Sequence, residues 1–177
     1  MKLEKDGIIK LNEKNYKYKF FDTNKLIDII RHSQKFTQIY EEAIKKYRNN
    51  PKFEIFQLIK EYITYRPDSE LFYFTVYNDD EIIFMSRLYY YKEQEYGYFN
   101  MIYTNKNYRG QGICKNSINF IINKIKKHIK KYELEVAADN IPAIKCYEYN
   151  GFKYIKKIKY TRLNNEIIEH NLMRLKN

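Results

Sequence analysis

Gly110 and Gly112 punctuate the segment Asn107-Tyr108-Arg109-Gly110-Gln111-Gly112-Ile113-Cys114-Lys115. Without Cβ atoms they let a ligand approach the backbone closely and make a positive φ available. The amides that follow open a helix, where unpaired N–H groups and the helix dipole favour an anion. No acidic residue occurs between Glu95 and Glu133, whereas Lys106, Arg109, Lys115, Lys124, Lys126, Lys127, Lys130 and Lys131 fall within that interval. The chemistry implied is the holding of a phosphate or pyrophosphate by main-chain amides.

Elements on either side must position this loop. Tyr96 to Thr104 reads as a strand leading into it. Behind it a long basic helix carries Ile118, Ile121, Ile122, Ile125 and Ile129 on one face. Leu134 to Ala138 is a short strand, Ile141 to Tyr149 a helix, and Gly151 its C-terminal stop. Phe152 to Tyr160 and Ile167 to Leu175 form a closing hairpin around Leu163-Asn164-Asn165.

Upstream, Lys17 to Phe21 reads as a first strand and Asp22 or Thr23 as the cap of a helix. Further helices are expected from about Phe36 to Tyr47 and from Pro51 to Tyr62, ending at Arg66-Pro67-Asp68. Leu71 to Tyr77 and Glu81 to Tyr91 are strands joined at Asn78-Asp79-Asp80.

Composition bounds the class. A chain of 177 residues with 44% hydrophobic and 31% charged residues is expected to form one domain spanning 1–177, with a real core. No apolar run reaches the ~18 residues of a membrane helix, and the charged stretch Met1 to Lys10 has no signal-peptide core. Cys114 and Cys146 show no metal spacing and suggest no framework, which points to a reducing, cytoplasmic location. The net charge of +11 invites nucleic acid as a partner. Its lysines, however, accompany abundant Ile, Asn, Tyr and Phe, the bias of an AT-rich coding sequence, so nucleic acid is not the expected partner. Core and strand packing accounts for most of the 20 tyrosines and 11 phenylalanines.

A second segment lies downstream of the glycine loop: Leu134-Glu135-Val136-Ala137-Ala138-Asp139-Asn140-Ile141-Pro142-Ala143-Ile144-Lys145-Cys146-Tyr147, ending in Gly151-Phe152. With the Arg109-Gly110-Gln111-Gly112-Ile113-Cys114 signature it resembles the GNAT superfamily of acetyl-CoA-dependent N-acetyltransferases. The specific match covers Tyr98 to Tyr154, and the element order fits from about Lys17 onward. Cys114 replaces the small Gly or Ala that ends the family signature.

The resemblance implies a mixed α/β fold, a twisted sheet of about seven strands flanked by helices. The strands before and after the main helix would run parallel and splay apart. Acetyl-CoA would lie in the opening, its pantetheine paired with Ile102, Tyr103 and Thr104 and its pyrophosphate held by Arg109, Gly110, Gln111, Gly112, Ile113, Cys114 and Lys115. Asn140 would cap the last helix and contact the coenzyme. Tyr147 would be the general acid that meets the departing thiolate. Glu135, on the strand face opposite Leu134 and Val136, is the candidate base; Glu93 and Glu95 are weaker ones, and a water chain could replace all three. No metal is implied. The expected activity is acetyl transfer to a primary amine by direct attack, in a monomer or homodimer. Rival readings are a CoA-binding regulatory module without turnover and a basic nucleic-acid-binding protein. The acceptor carries no readable motif, although the basic surface disfavours polyamines.

Overall fold

Alternating apolar residues build a single eight-stranded sheet in the order β1-β2-β3-β4-β5-β6-β8-β7. The computed structural model describes residues 5–22, 69–161 and 165–176. The strands are β1 (Asp6–Leu11), β2 (Lys14–Asp22), β3 (Glu70–Asn78), β4 (Glu81–Tyr91), β5 (Tyr96–Thr104), β6 (Lys131–Ala137), β7 (Lys153–Thr161) and β8 (Ile167–Lys176). Helices α1 (Ile113–Ile125) and α2 (Ile141–Tyr149) follow β5 and β6 respectively. The expected mixed fold is borne out, with eight strands among the described residues rather than about seven. The helices expected between Thr23 and Asp68 lie outside the described residues.

The extra strand is β1. Its sequence looks charged, but Ile9 and Leu11 point into the core while Ile8 stays exposed. Leu11 pairs with Lys14 across a two-residue loop. Asn12 and Glu13 both take a positive φ there, the turn that suits the twist of a hairpin. At the opposite edge, β7 exposes Lys153, Lys156, Lys157 and Lys159, and charge of this kind discourages pairing with another sheet.

Strand β5 pairs with β6 in parallel, so a crossover must join them, and the loop and α1 supply it. Ile113, Ile118, Ile121, Ile122 and Ile125 recur at helical spacing and bury one face of α1 against the sheet. The main core gathers them with Phe74, Phe84, Phe99, Tyr132, Leu134, Tyr147 and Phe152. Ile129, expected on the helix, lies beyond its end and is still fully buried. Phe152, held edge-on to both Phe99 and Tyr147, ties α2 to the central strands.

Just below the site, a carboxylate clips three strands together. Glu133 of β6 accepts from Tyr96 Oη of β5 at 2.9 Å and from Arg174 Nε of β8 at 2.6 Å. Burial pushes the Glu133 carboxyl up, but the two hydrogen bonds and the charges of Arg174 and Lys131 outweigh it, and the net shift is downward.

Two outcomes follow from this packing. Phe152→Ala should cost about 3–5 kcal/mol of unfolding free energy, measured by urea titration. A carboxyl held below its usual 4.5 stabilises the fold above that pH and loses the contribution as pH falls through its native value. Glu133→Gln should therefore lower stability at pH 7 by about 1.5–3 kcal/mol and flatten the acid limb of a stability–pH profile.

Candidate active site

Strands β5 and β6 stay paired for only four residues, from Tyr96↔Lys131 to Phe99↔Leu134. Beyond that point β6 continues along β8, and β5 continues along β4 to Thr104. The divergence is a fork. A bulge in β5 marks it: the register with β4 slips between Arg87↔Asn100 and Met85↔Tyr103, and Met101 adopts a φ of 50°. The inserted residue reverses the strand's facing, so Phe99 and Ile102 both reach the main core while Met101 packs with Tyr73 and Met85 on the other side.

A cavity of about 710 Å³ opens between this end of β5, the glycine loop and α2. Ile102, Tyr103, Thr104, Arg109, Gly110, Gly112, Ile113, Cys114, Lys115, Asn140 and Tyr147 all line it, so eleven residues singled out from sequence converge on one space. The side chain of Gln111 instead folds back, donating from Nε2 to Asn107 O at 3.0 Å. Gly110 and Gly112 take φ of 74° and 71°. Gly112 is the N-cap of α1, and no acidic residue occupies the first turn, so the helix mouth is left to an anion. Arg109 Nε donates to Thr104 O at 3.1 Å, tying the loop to the end of β5.

Across the cavity, Asn140 caps α2 by accepting from Ala143 N at 3.4 Å, and Pro142 occupies the first turn. Tyr147 sits two turns on, in the cavity wall, only 5% exposed. Burial pushes its phenol well above the ordinary value, so the group stays protonated at any working pH. Tyr149 also borders the cavity, at its open rim, 63% exposed and with Lys115 Nζ 4.3 Å above its ring.

Glu135 is the first β6 residue past the fork, on the sheet face opposite Leu134 and Val136, and it does not border the cavity. Tyr160 Oη donates to its Oε2 at 2.5 Å, and His170 Nδ1 lies 3.9 Å from the same oxygen. Burial first, then the carboxylate of Glu135, pushes Tyr98 far up, and the same two causes push Tyr160 up to about 12. Glu95 stands at the opposite end of β5, ion-paired with Lys130, and Glu93 precedes it on the same turn. Among the described residues no group of three or more His, Cys, Asp or Glu is placed to hold a metal.

A family model described as the Acetyltransferase (GNAT) family matches residues 36–152, well over half of the chain. The chain belongs to that family. No curated protein sequence matches it. Solved structures of GNAT enzymes share its fold at low identity. RimL, a ribosomal L7/L12 alpha-N-protein acetyltransferase in complex with coenzyme A, is 12% identical with a TM-score of 0.70, covering 96% of this chain and 98% of that one. The ribosomal-protein-S5-alanine acetyltransferase from Vibrio fischeri is 16% identical with a TM-score of 0.66, covering 97% of each chain. The spermidine N-acetyltransferase from Vibrio cholerae, in complex with CoA and spermine, is 15% identical with a TM-score of 0.66, covering 90% of this chain and 95% of that one.

Three features of this GNAT site escaped the sequence. Cys114 and Cys146 form a disulfide, which overturns the expectation that they make no framework and removes the support it lent to a reducing compartment. Thirty-two residues separate them, and only the packing of α1 beside α2 brings them together. Asn12, in the β1–β2 turn, donates from Nδ2 to Gln111 O and accepts from Asn116 Nδ2 at 2.8 Å, so the first hairpin straps the glycine loop. The Met101 bulge is a slip of register against β4, which the run of strand-forming residues in β5 does not reveal. Among the described residues no helix is long and apolar enough to cross a membrane.

Gly112→Glu should abolish acetyl-CoA binding in calorimetry. A Cβ at Gly112 would sit 3.1 Å from Asn12 Nδ2 on a backbone that disfavours side chains, and the carboxylate would repel phosphate.

Proposed function

We propose that the protein is an N-acetyltransferase that moves the acetyl group of acetyl-CoA onto a primary amine within a ternary complex. The fork carries this reading. It leaves two facing strand edges that do not pair with each other, and the amides of a pantetheine arm fit between them as an added strand would. The cavity behind the fork ends in the helix mouth, which suits the pyrophosphate. Asn140, at the N-terminus of α2, is placed to meet the junction of arm and phosphate.

Donor and acceptor then meet at the fork from opposite faces of the sheet. Glu135 takes the proton of the incoming ammonium, directly or through water, and the free amine attacks the thioester carbonyl. Backbone N–H groups of β5 between the bulge at Met101 and Thr104 stabilise the oxyanion. When the tetrahedral intermediate collapses, the carbon–sulfur bond breaks and the thiolate takes a proton or hydrogen bond from Tyr147. A phenol kept in its neutral form by burial retains the O–H that such a hydrogen bond needs.

The acceptor is best sought among peptide α-amines. Two full-length structural relatives act on ribosomal proteins, and a chain of net charge +11 repels polyamines. A thiol-release assay over peptide N-termini, lysine peptides, amino sugars and polyamines, with mass spectrometry of products, tests the activity; no release with any acceptor would refute turnover. Tyr147→Phe should lower kcat about 10²-fold while acetyl-CoA affinity changes little. Glu135→Gln should lower kcat/KM most at low pH, where the acceptor is fully protonated. Variants that keep wild-type turnover, once product release is shown not to limit the rate, would remove these residues from the chemistry.

A further inference from the structure

The disulfide between Cys114 and Cys146 crosses the cleft at an informative place. Cys114 belongs to the first turn of α1, inside the phosphate cradle, and Cys146 immediately precedes Tyr147 on α2. Both residues border the cavity, Cys114 half-buried and Cys146 9% exposed, so the cavity is the path by which a small thiol approaches the bridge. The other described ties between these helix ends are weaker. Asn150 Nδ2 donates to Lys115 O at 3.1 Å, and Lys115 rests on the Tyr149 ring. A covalent bond therefore sets the separation between the part of the site that grips phosphate and the part that carries the phenol.

We propose that the Cys114–Cys146 disulfide is a thiol-responsive brace: closed, it holds the cradle and Tyr147 in register for the coenzyme, and opened, it lowers acetyl-CoA affinity. The inference rests on the reading of the cavity as the coenzyme site. Opening is a thiol–disulfide exchange with a dithiol. Its thiolate attacks Cys146 Sγ, the Cys114–Cys146 bond breaks, and Cys114 departs as thiolate, favoured by its place at a helix N-terminus. The second thiol of the reductant then displaces Cys146, which takes up a proton, and the reductant leaves as a cyclic disulfide. Closing runs the same exchanges in reverse with a small-molecule disulfide such as oxidised glutathione as the oxidant.

Coupling of this kind is reciprocal. If the closed form binds acetyl-CoA more tightly by some factor, saturating acetyl-CoA must make the bridge harder to reduce by the same factor. A bridge that merely staples the fold would raise the melting temperature and leave both readouts still.

The test is calorimetric titration of acetyl-CoA into the full chain at 25 °C, after treatment with oxidised glutathione or with dithiothreitol. The closed form should bind at least about fivefold tighter, and acetyl-CoA should raise the dithiothreitol needed for half-reduction to match. The double variant Cys114→Ser/Cys146→Ser, which has no thiol left at the bridge, should bind like the reduced protein and ignore both reagents. Equal affinity in the two states, thiols that stay free after oxidised glutathione, or a reduced protein that is unfolded at 25 °C would each overturn the proposal. Absence of acetyl-CoA binding in both states would refute the coenzyme assignment itself, and the brace with it.

Discussion

Everything that distinguishes this molecule from an ordinary twisted sheet depends on the parting of β5 from β6 after Phe99 and Leu134. Parallel neighbours in a sheet normally satisfy one another's peptide groups along their whole length, and unpaired groups away from water are costly. Here the two strands find other partners on their outer sides, β4 for one and β8 for the other, and leave their facing edges apart. The gap persists because each strand is anchored outside it. Glu133, bonded to Tyr96 and Arg174, closes the sheet just before the fork, and the bulge at Met101 bends β5 away just after it.

Two glutamates on β6 stand in different surroundings on either side of the start of the fork. Glu133, still within the paired region, is held by a guanidinium and a phenol and serves to join strands. Glu135, one residue beyond the last pair, has phenols and His170 as its described partners. The guanidinium of Arg174 and the phenol of Tyr96 hold the Glu133 carboxylate in its charged form and commit it to the sheet. Tyr147, across the sheet in an apolar wall, is the complementary case of a weak acid kept in its neutral form.

The glycine-loop end of the cavity is organised from three distant stretches of chain. The glycine loop offers its amides, the first hairpin straps it through Asn12, and α2 is joined to it through Cys146. None of these contacts is large, but they converge on one turn of backbone. A cradle of main-chain donors works only if the backbone is held still, because the donors have no side-chain freedom with which to adjust.

Much of the site was legible from residues alone because its parts are local. The glycines and the apolar period of α1, the cap at Asn140, the helix carrying Tyr147 and its stop at Gly151 each obey rules that span a few residues, and the structure places them as those rules require. The GNAT resemblance was legible for the same reason, being carried by two short segments. What sequence could not decide is what depends on register and on contact between remote segments. No strand was expected before Lys17, yet Ile9 and Leu11 meet the core, and Met101 looked like one more strand residue until the pairing with β4 slipped. The Cys114–Cys146 bond, the Asn12 strap and the phenols around Glu135 each join residues from 25 to 104 positions apart. Local propensity determined the pieces; the free energy of packing them, which no short window contains, decided where the cleft opens and what lines it.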